Sequence, residues 1–254
     1  DGRYDSFRRK PLVLFVCDYY CGAVPEYGIS EWETNLWAPL DSTGLADVLT
    51  FHLDKYFLHY HKRGDDALLH EIQTRKPDLV VLVIYKQPSS DPSVISLFTI
   101  AQIQCPIITI WGDLQSVHQQ WLMTSLRPFI KRIYGTASKE VVESLGATYM
   151  HVPKNPEIFN NPNKKRDIDA VFSGSFGLGR EERNETLKFI SENKVNLVVG
   201  GSEGKDHFTT EEYADRYKRA KLAISFSIAN GKNVVNARVF EVLLCGALLL
   251  EQES

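Results

Sequence analysis

Asn230-Gly-Lys-Asn-Val-Val-Asn-Ala-Arg-Val-Phe-Glu-Val-Leu-Leu-Cys-Gly-Ala-Leu-Leu-Leu-Glu251 decides how this chain is read. Residues 230–236 are mostly polar, with one Gly and two Val, a loop leading to a helix start. Ala237 to Cys245 is almost wholly apolar and predicts a buried helix. Gly246 suits the left-handed position just past a helix C-terminus, and Ala247 to Leu250 predicts a short buried strand. Two charges interrupt the helix, Arg238 and Glu241. Three residues apart, they share one face in the first turns, near the positive end of the dipole. Either they pair with each other or that face meets a polar ligand.

Working backwards, the second half alternates strands and helices. Ile168 to Ser173 reads as a strand, Arg180 to Glu192 as a helix and Val195 to Val199 as a strand. Thr209 to Ala220 reads as a capped helix, and Leu222 to Phe226 as a strand. Gly174-Ser-Phe-Gly-Leu-Gly179 lies between a strand and a helix. Such a loop offers backbone N–H groups and a helix dipole to a phosphate, although its glycine spacing is not the dinucleotide pattern. Gly174, Ser175 and Arg180 are therefore candidate phosphate-binding residues. Gly201 ends the next strand, and Lys232 and Asn233 precede the Arg238–Glu241 helix. All would converge on the carboxyl edge of one sheet, where ligands of doubly wound folds sit.

The first half has the same rhythm. Apolar runs at 11–17, 47–53, 77–85, 106–111, 132–135 and 148–152 predict strands. Stretches at 65–74, 93–104, 116–126 and 138–145 predict helices between them. Ser30 and Glu33 stand at capping-box spacing before a further helix. This alternation implies a parallel sheet with right-handed crossovers. Pro153 to Arg166 is dense in Pro and Asn and breaks the pattern, so the expected domains are 1–153 and 154–254. Its basic end, residues 164–166, reads as a solvated face. Asp113 follows a strand end and is a candidate general base, with His118 five residues on. A helix cap and an ordinary helix-face histidine are the alternatives for these two.

The run Asn236 to Leu249 resembles the donor-site motif of GT-B glycosyltransferases, most closely the family of the spore-maturation protein CgeB. The turn Asp169-Ala-Val-Phe-Ser-Gly-Ser175 is similar to the strand and loop that open its donor domain. The resemblance implies two Rossmann-like domains facing across a cleft. The N-terminal domain would bind an acceptor and the C-terminal one a nucleotide-sugar of UDP, GDP or dTDP type. It also implies that Glu241 binds the ribose hydroxyls and that the acceptor is a glycan, protein or small molecule. Many retaining relatives carry a second Glu eight residues earlier, where this chain has Asn233; retention or inversion therefore stays open. Families of this shape continue beyond the strand that closes this sequence, so the second domain is expected to be incomplete. Neither a cofactor nor a metal is expected. A non-catalytic nucleotide-sugar-binding module and a two-domain sugar-nucleotide epimerase are the rival readings.

The 254 residues suffice for two domains of roughly 100–150 residues each. A net charge of −3 supplies no electrostatic ground for a nucleic-acid partner. No apolar run reaches the length that spans a bilayer, and residues 1–10 are too charged for a signal peptide. Cys17, Cys21, Cys105 and Cys245 have no partner pair at zinc spacing and read as free or buried thiols, a metal or disulfide role being the alternative. A reducing cytoplasm fits them.

Overall fold

The computed structural model describes residues 9–84, 95–112, 114, 117–136, 138–174, 181–200, 208–226, 228–229, 232–233 and 237–251. They pack as two compact units. The first comprises Asp1–Tyr19, Trp32–Thr136 and Glu140–Met150; the second comprises Tyr20–Glu31, Ala137–Lys139 and His151–Ser254. The stretch 20–31, which follows the first strand, packs with the second unit through two short 3-10 turns.

In the first unit β1 (Leu12–Cys17) is followed by a π-helical turn, Glu33–Trp37, that runs into α1 (Ala38–Ser42). The wide turn directly precedes Pro39, which has no N–H to give to a helix. β2 (Asp47–His52) leads straight into α2 (Leu53–Tyr60), a helix for which the sequence offered no clear period. Then come α3 (Asp65–Arg75), β3 (Leu79–Ile84), α4 (Leu97–Gln102) and β4 (Ile107–Trp111). α5 (Val117–Leu126), β5 (Arg132–Gly135), α6 (Lys139–Ser144) and β6 (Thr148–Tyr149) complete the alternation. The six strands are parallel in the order β2-β1-β3-β4-β5-β6. Buried on both faces, such strands carry continuous apolar runs. Leu14 of β1, Val80 of β3 and Ile107 of β4 are accordingly buried.

The second unit begins its sheet with β7 (Ile168–Ser173), then α7 (Glu181–Glu192), β8 (Leu197–Gly200) and α8 (Thr210–Arg219). β9 (Ala220–Ser225) follows, then a two-residue-stranded hairpin, β10 (Ile228–Ala229) with β11 (Lys232–Asn233). α9 (Ala237–Leu244) and β12 (Leu248–Glu251) close it. The sheet is parallel, ordered β12-β9-β7-β8. Successive residues of β7 point to opposite faces. Val171 packs with Tyr217 of α8 and Val242 of α9, and Phe172 packs with Leu187 of α7 on the other face.

Local signals set the ends of these elements. Thr209 and Glu212 form a complete capping box at α8. Gly246 adopts φ +73°, its N–H bonding Leu243 O at 3.0 Å while Ala247 N–H bonds Val242 O at 3.2 Å. This is the paired C-terminal closure that Gly permits. One expectation fails here. Arg166, read as part of a solvated basic face, donates to the carbonyls of Tyr217 (3.4 Å), Cys245 (3.1 Å) and Gly246 (2.7 Å), and also to Ala220. Its planar fork satisfies carbonyls that the ends of α8 and α9 leave over. Lys164 pairs with Asp215 at 2.6 Å. The edge strand β12 leaves Leu248 and Leu250 more than half exposed.

Candidate functional site

In the second unit the chain reverses direction across the sheet between β7 and β9. β8 lies on one side of β7, while β9 and β12 lie on the other. The carboxyl ends of strands at such a switch are where open α/β sheets bind ligands. β7 ends there with Ser173, followed by Gly174, and β9 ends with the buried Ser225. Gly174 N–H bonds Gly200 O at 2.9 Å, tying in the end of β8.

Gly174 is required by space rather than by backbone angle. A Cβ there would lie 2.8 Å from Phe172 Cζ and 3.3 Å from Arg238 Nη2. The helix α9 thus brings Arg238 against the backbone at the end of β7. The Arg238 guanidinium also lies 5.8 Å from the Phe172 ring centre. Arg183, in the first turn of α7, lies 5.5 Å from the same ring and 5.2 Å from that of Phe226. Two cationic groups therefore flank Phe172 near the carboxyl edge.

One turn on, Glu241 is 5% exposed. Arg238 and Glu241 attract each other electrostatically, and the fold brings Glu241 further partners. Lys154 Nζ lies 2.5 Å from Glu241 Oε1, and Tyr213 donates its hydroxyl to Oε2 at 2.7 Å. Tyr217 donates in turn to the Tyr213 hydroxyl at 2.8 Å. Lys154, with a side chain 2% exposed, also reaches Glu31 Oε2 at 3.4 Å. Burial works against the lysine charge, but Glu241 and Glu31 outweigh it and hold the Lys154 pKa above its usual value. Burial, then the neighbouring Glu241 charge, pushes the Tyr213 hydroxyl well up, so it stays a neutral donor. Burial likewise opposes the Arg238 charge, and Tyr213, Tyr217 and Glu241 more than compensate.

The structure thus gathers Gly174, Arg238 and Glu241 in one place. Lys232 and Asn233 form β11 of the small hairpin preceding α9. Ser175, Arg180, Gly201 and Asp113 lie outside the described residues. His118 is in α5 of the first unit, its ring 6.2 Å from that of the exposed Trp121. Sequence reasoning passed over Lys154, Tyr213 and Arg183. Lys154 sits in a segment read as a linker, which hides a buried cation. Tyr213 and Tyr217, four apart in an otherwise charged helix, were a legible sign of an inward face.

Residues 180–254, which include α7 through β12, match a family model described as glycosyl transferase-like. Two solved structures share the fold. An alpha-glucosyltransferase in complex with UDP and a mismatched 13-mer DNA aligns at a TM-score of 0.58 and 10% identity, over 95% of this chain and 79% of that one. A putative UDP-N-acetylglucosamine 2-epimerase from Listeria monocytogenes aligns at 0.51 and 11%, over 88% and 76%. No curated protein matches the sequence. The architecture is the parallel α/β arrangement of GT-B glycosyltransferases. Among the described residues no helix is long and apolar enough to cross a membrane.

Proposed function

We propose that this chain is a glycosyltransferase that moves a sugar from a nucleotide-sugar to an acceptor hydroxyl, of the CgeB-like branch of the GT-B fold. Residues 154–254 form the donor domain and residues 1–153 the acceptor domain. The observation that carries this reading is the placing of Glu241, held by Lys154 and Tyr213, one turn behind an arginine that meets Gly174 at the sheet's switch point. It is supported by the glycosyl transferase-like match over the same segment.

In this scheme Arg238 and the N–H groups at the start of α9 face the donor diphosphate, with the loop from Gly174 through Ser175 to Arg180 and with Gly201, Lys232 and Asn233. Glu241 receives the ribose hydroxyls. Each carboxylate oxygen has a second lone pair, so Glu241 can accept from a ribose while keeping Lys154 and Tyr213. Asp113 and His118 are the candidates for proton transfer at the acceptor. The diphosphate charge is met by arginine and helix dipole, without a metal. The four cysteines are free thiols, as a reducing cytoplasm would keep them.

The test is calorimetry with UDP, GDP and dTDP on the wild type and on Glu241→Gln. The variant should lose about 1.5–3 kcal/mol of affinity, the value of a hydrogen bond to a charged group. Unchanged affinity in a folded variant would make Glu241 purely structural. Turnover of a bound nucleotide-sugar without any acceptor would instead indicate an epimerase. Binding without turnover under any acceptor would indicate a binding module.

A further inference from the structure

A second polar cluster lies in the first unit. β1 is Leu-Val-Leu-Phe-Val up to its last residue, Cys17. β2 ends on His52, the in-register parallel partner of Cys17. The two side chains therefore stand at the carboxyl ends of neighbouring strands. The π-helical turn beginning at Glu33 brings a carboxylate to the same point. π-turns are uncommon and recur at functional sites. His52 Nε2 lies 2.9 Å from Glu33 Oε2, and Cys17 Sγ lies 3.9 Å from that same oxygen. All three donor atoms lie within 4.8 Å of one another.

We propose that Cys17, Glu33 and His52 form a binding site for a divalent transition-metal ion, with zinc the best fit. The donor set, one sulfur, one imidazole nitrogen and one carboxylate oxygen, is a combination that a borderline-soft ion accepts. Zinc bond lengths at tetrahedral angles place such ligand atoms about 3.3–3.6 Å apart. The carboxylate oxygen, 2.9 Å from the imidazole and 3.9 Å from the sulfur, lies within about half an ångström of those spacings; the sulfur and imidazole nitrogen, within 4.8 Å of each other, would draw together around the ion. The charges also balance. On binding, Cys17 Sγ gives its proton to solvent, so one thiolate and one carboxylate face a doubly charged cation. Without an ion, the buried Glu33 and the partly buried His52 form a polar pair at the end of an apolar strand, an arrangement that costs desolvation. Three protein ligands leave a fourth coordination position for water. The site does not depend on the glycosyltransferase reading.

The test uses the full chain stripped with a chelator and titrated with Co²⁺ and Zn²⁺. One equivalent of Co²⁺ should produce the near-ultraviolet thiolate-to-cobalt absorption and tetrahedral visible bands. Zn²⁺ should bleach both and raise the melting temperature. Cys17→Ser should lose the near-ultraviolet band. A Cys21→Ser/Cys105→Ser double variant should keep it, which separates this site from the two more accessible thiols. No stoichiometric ion and no melting shift in the wild type would overturn the proposal. So would a band that survives Cys17→Ser and disappears in the double variant.

Discussion

Replacing Lys154 by Met removes a buried cation and keeps much of its length. The lysine side chain is 2% exposed and its nitrogen lies 2.5 Å from Glu241 Oε1. In the variant, Glu241 stays buried with Tyr213 still donating to Oε2 but no counter-charge on Oε1. Removing one partner of a buried ion pair costs about 3–5 kcal/mol. The 3.4 Å contact to half-exposed Glu31 adds little, because exposed pairs contribute about 0–1 kcal/mol. Lys154→Met should therefore lower stability by about 3–5 kcal/mol. Adding Glu241→Gln removes the orphaned charge while leaving an acceptor for Tyr213. The double variant should recover part of the loss, with a coupling energy of about 2–3 kcal/mol. Urea unfolding followed by far-ultraviolet circular dichroism is the assay, since Trp32, Trp37, Trp111 and Trp121 all lie in the first unit and report on it. The folded pKa of Lys154 is raised. Its contribution is thus complete below the unfolded lysine value of about 10.4 and lost as pH rises through the folded value. A single-variant loss under about 1 kcal/mol, or additive effects, would show that this ion pair is incidental.

Gly246→Ala should destabilise by about 1–2 kcal/mol or more, because φ is +73° and the new Cβ would meet Asn161 Nδ2 at 2.6 Å and Arg166 Nη2 at 2.9 Å; a thermal midpoint equal to wild type would contradict it. Gly174→Val should weaken nucleoside diphosphate binding far more than nucleoside binding, since its Cβ presses on Phe172 and Arg238; equal weakening by calorimetry would argue against a phosphate role. In the first unit, hydrogen bonds from Thr99, Arg63 and Ser96 outweigh burial and hold Asp65 at about 2. A depressed carboxyl stabilises above its unfolded value of about 3.9 and loses that contribution as pH falls towards 2. Discounted for solvent screening, the contribution is about 1 kcal/mol. The stability gap between wild type and Asp65→Asn, read by tryptophan fluorescence, should close over that window, and a pH-independent gap would refute it.

The alternation of apolar runs with helical periods was enough to place both parallel sheets, because strands buried on both faces must be apolar throughout. Gly246 and a threonine cap at the start of α8 were legible for the same local reason: each meets a backbone need of its own turn. The charges Arg238 and Glu241 were visible as misfits in an apolar helix. Their partners were not, since Lys154 arrives from 87 positions earlier and Tyr213 from 28. Arg166, similarly, looks like one of three surface charges until α8 and α9 bring their last carbonyls to it. The chain alone thus determines elements and their ends, where the forces act between near neighbours. Only the tertiary structure decides which buried charges meet, because a desolvated charge is stabilised by whatever the fold places a few ångströms away.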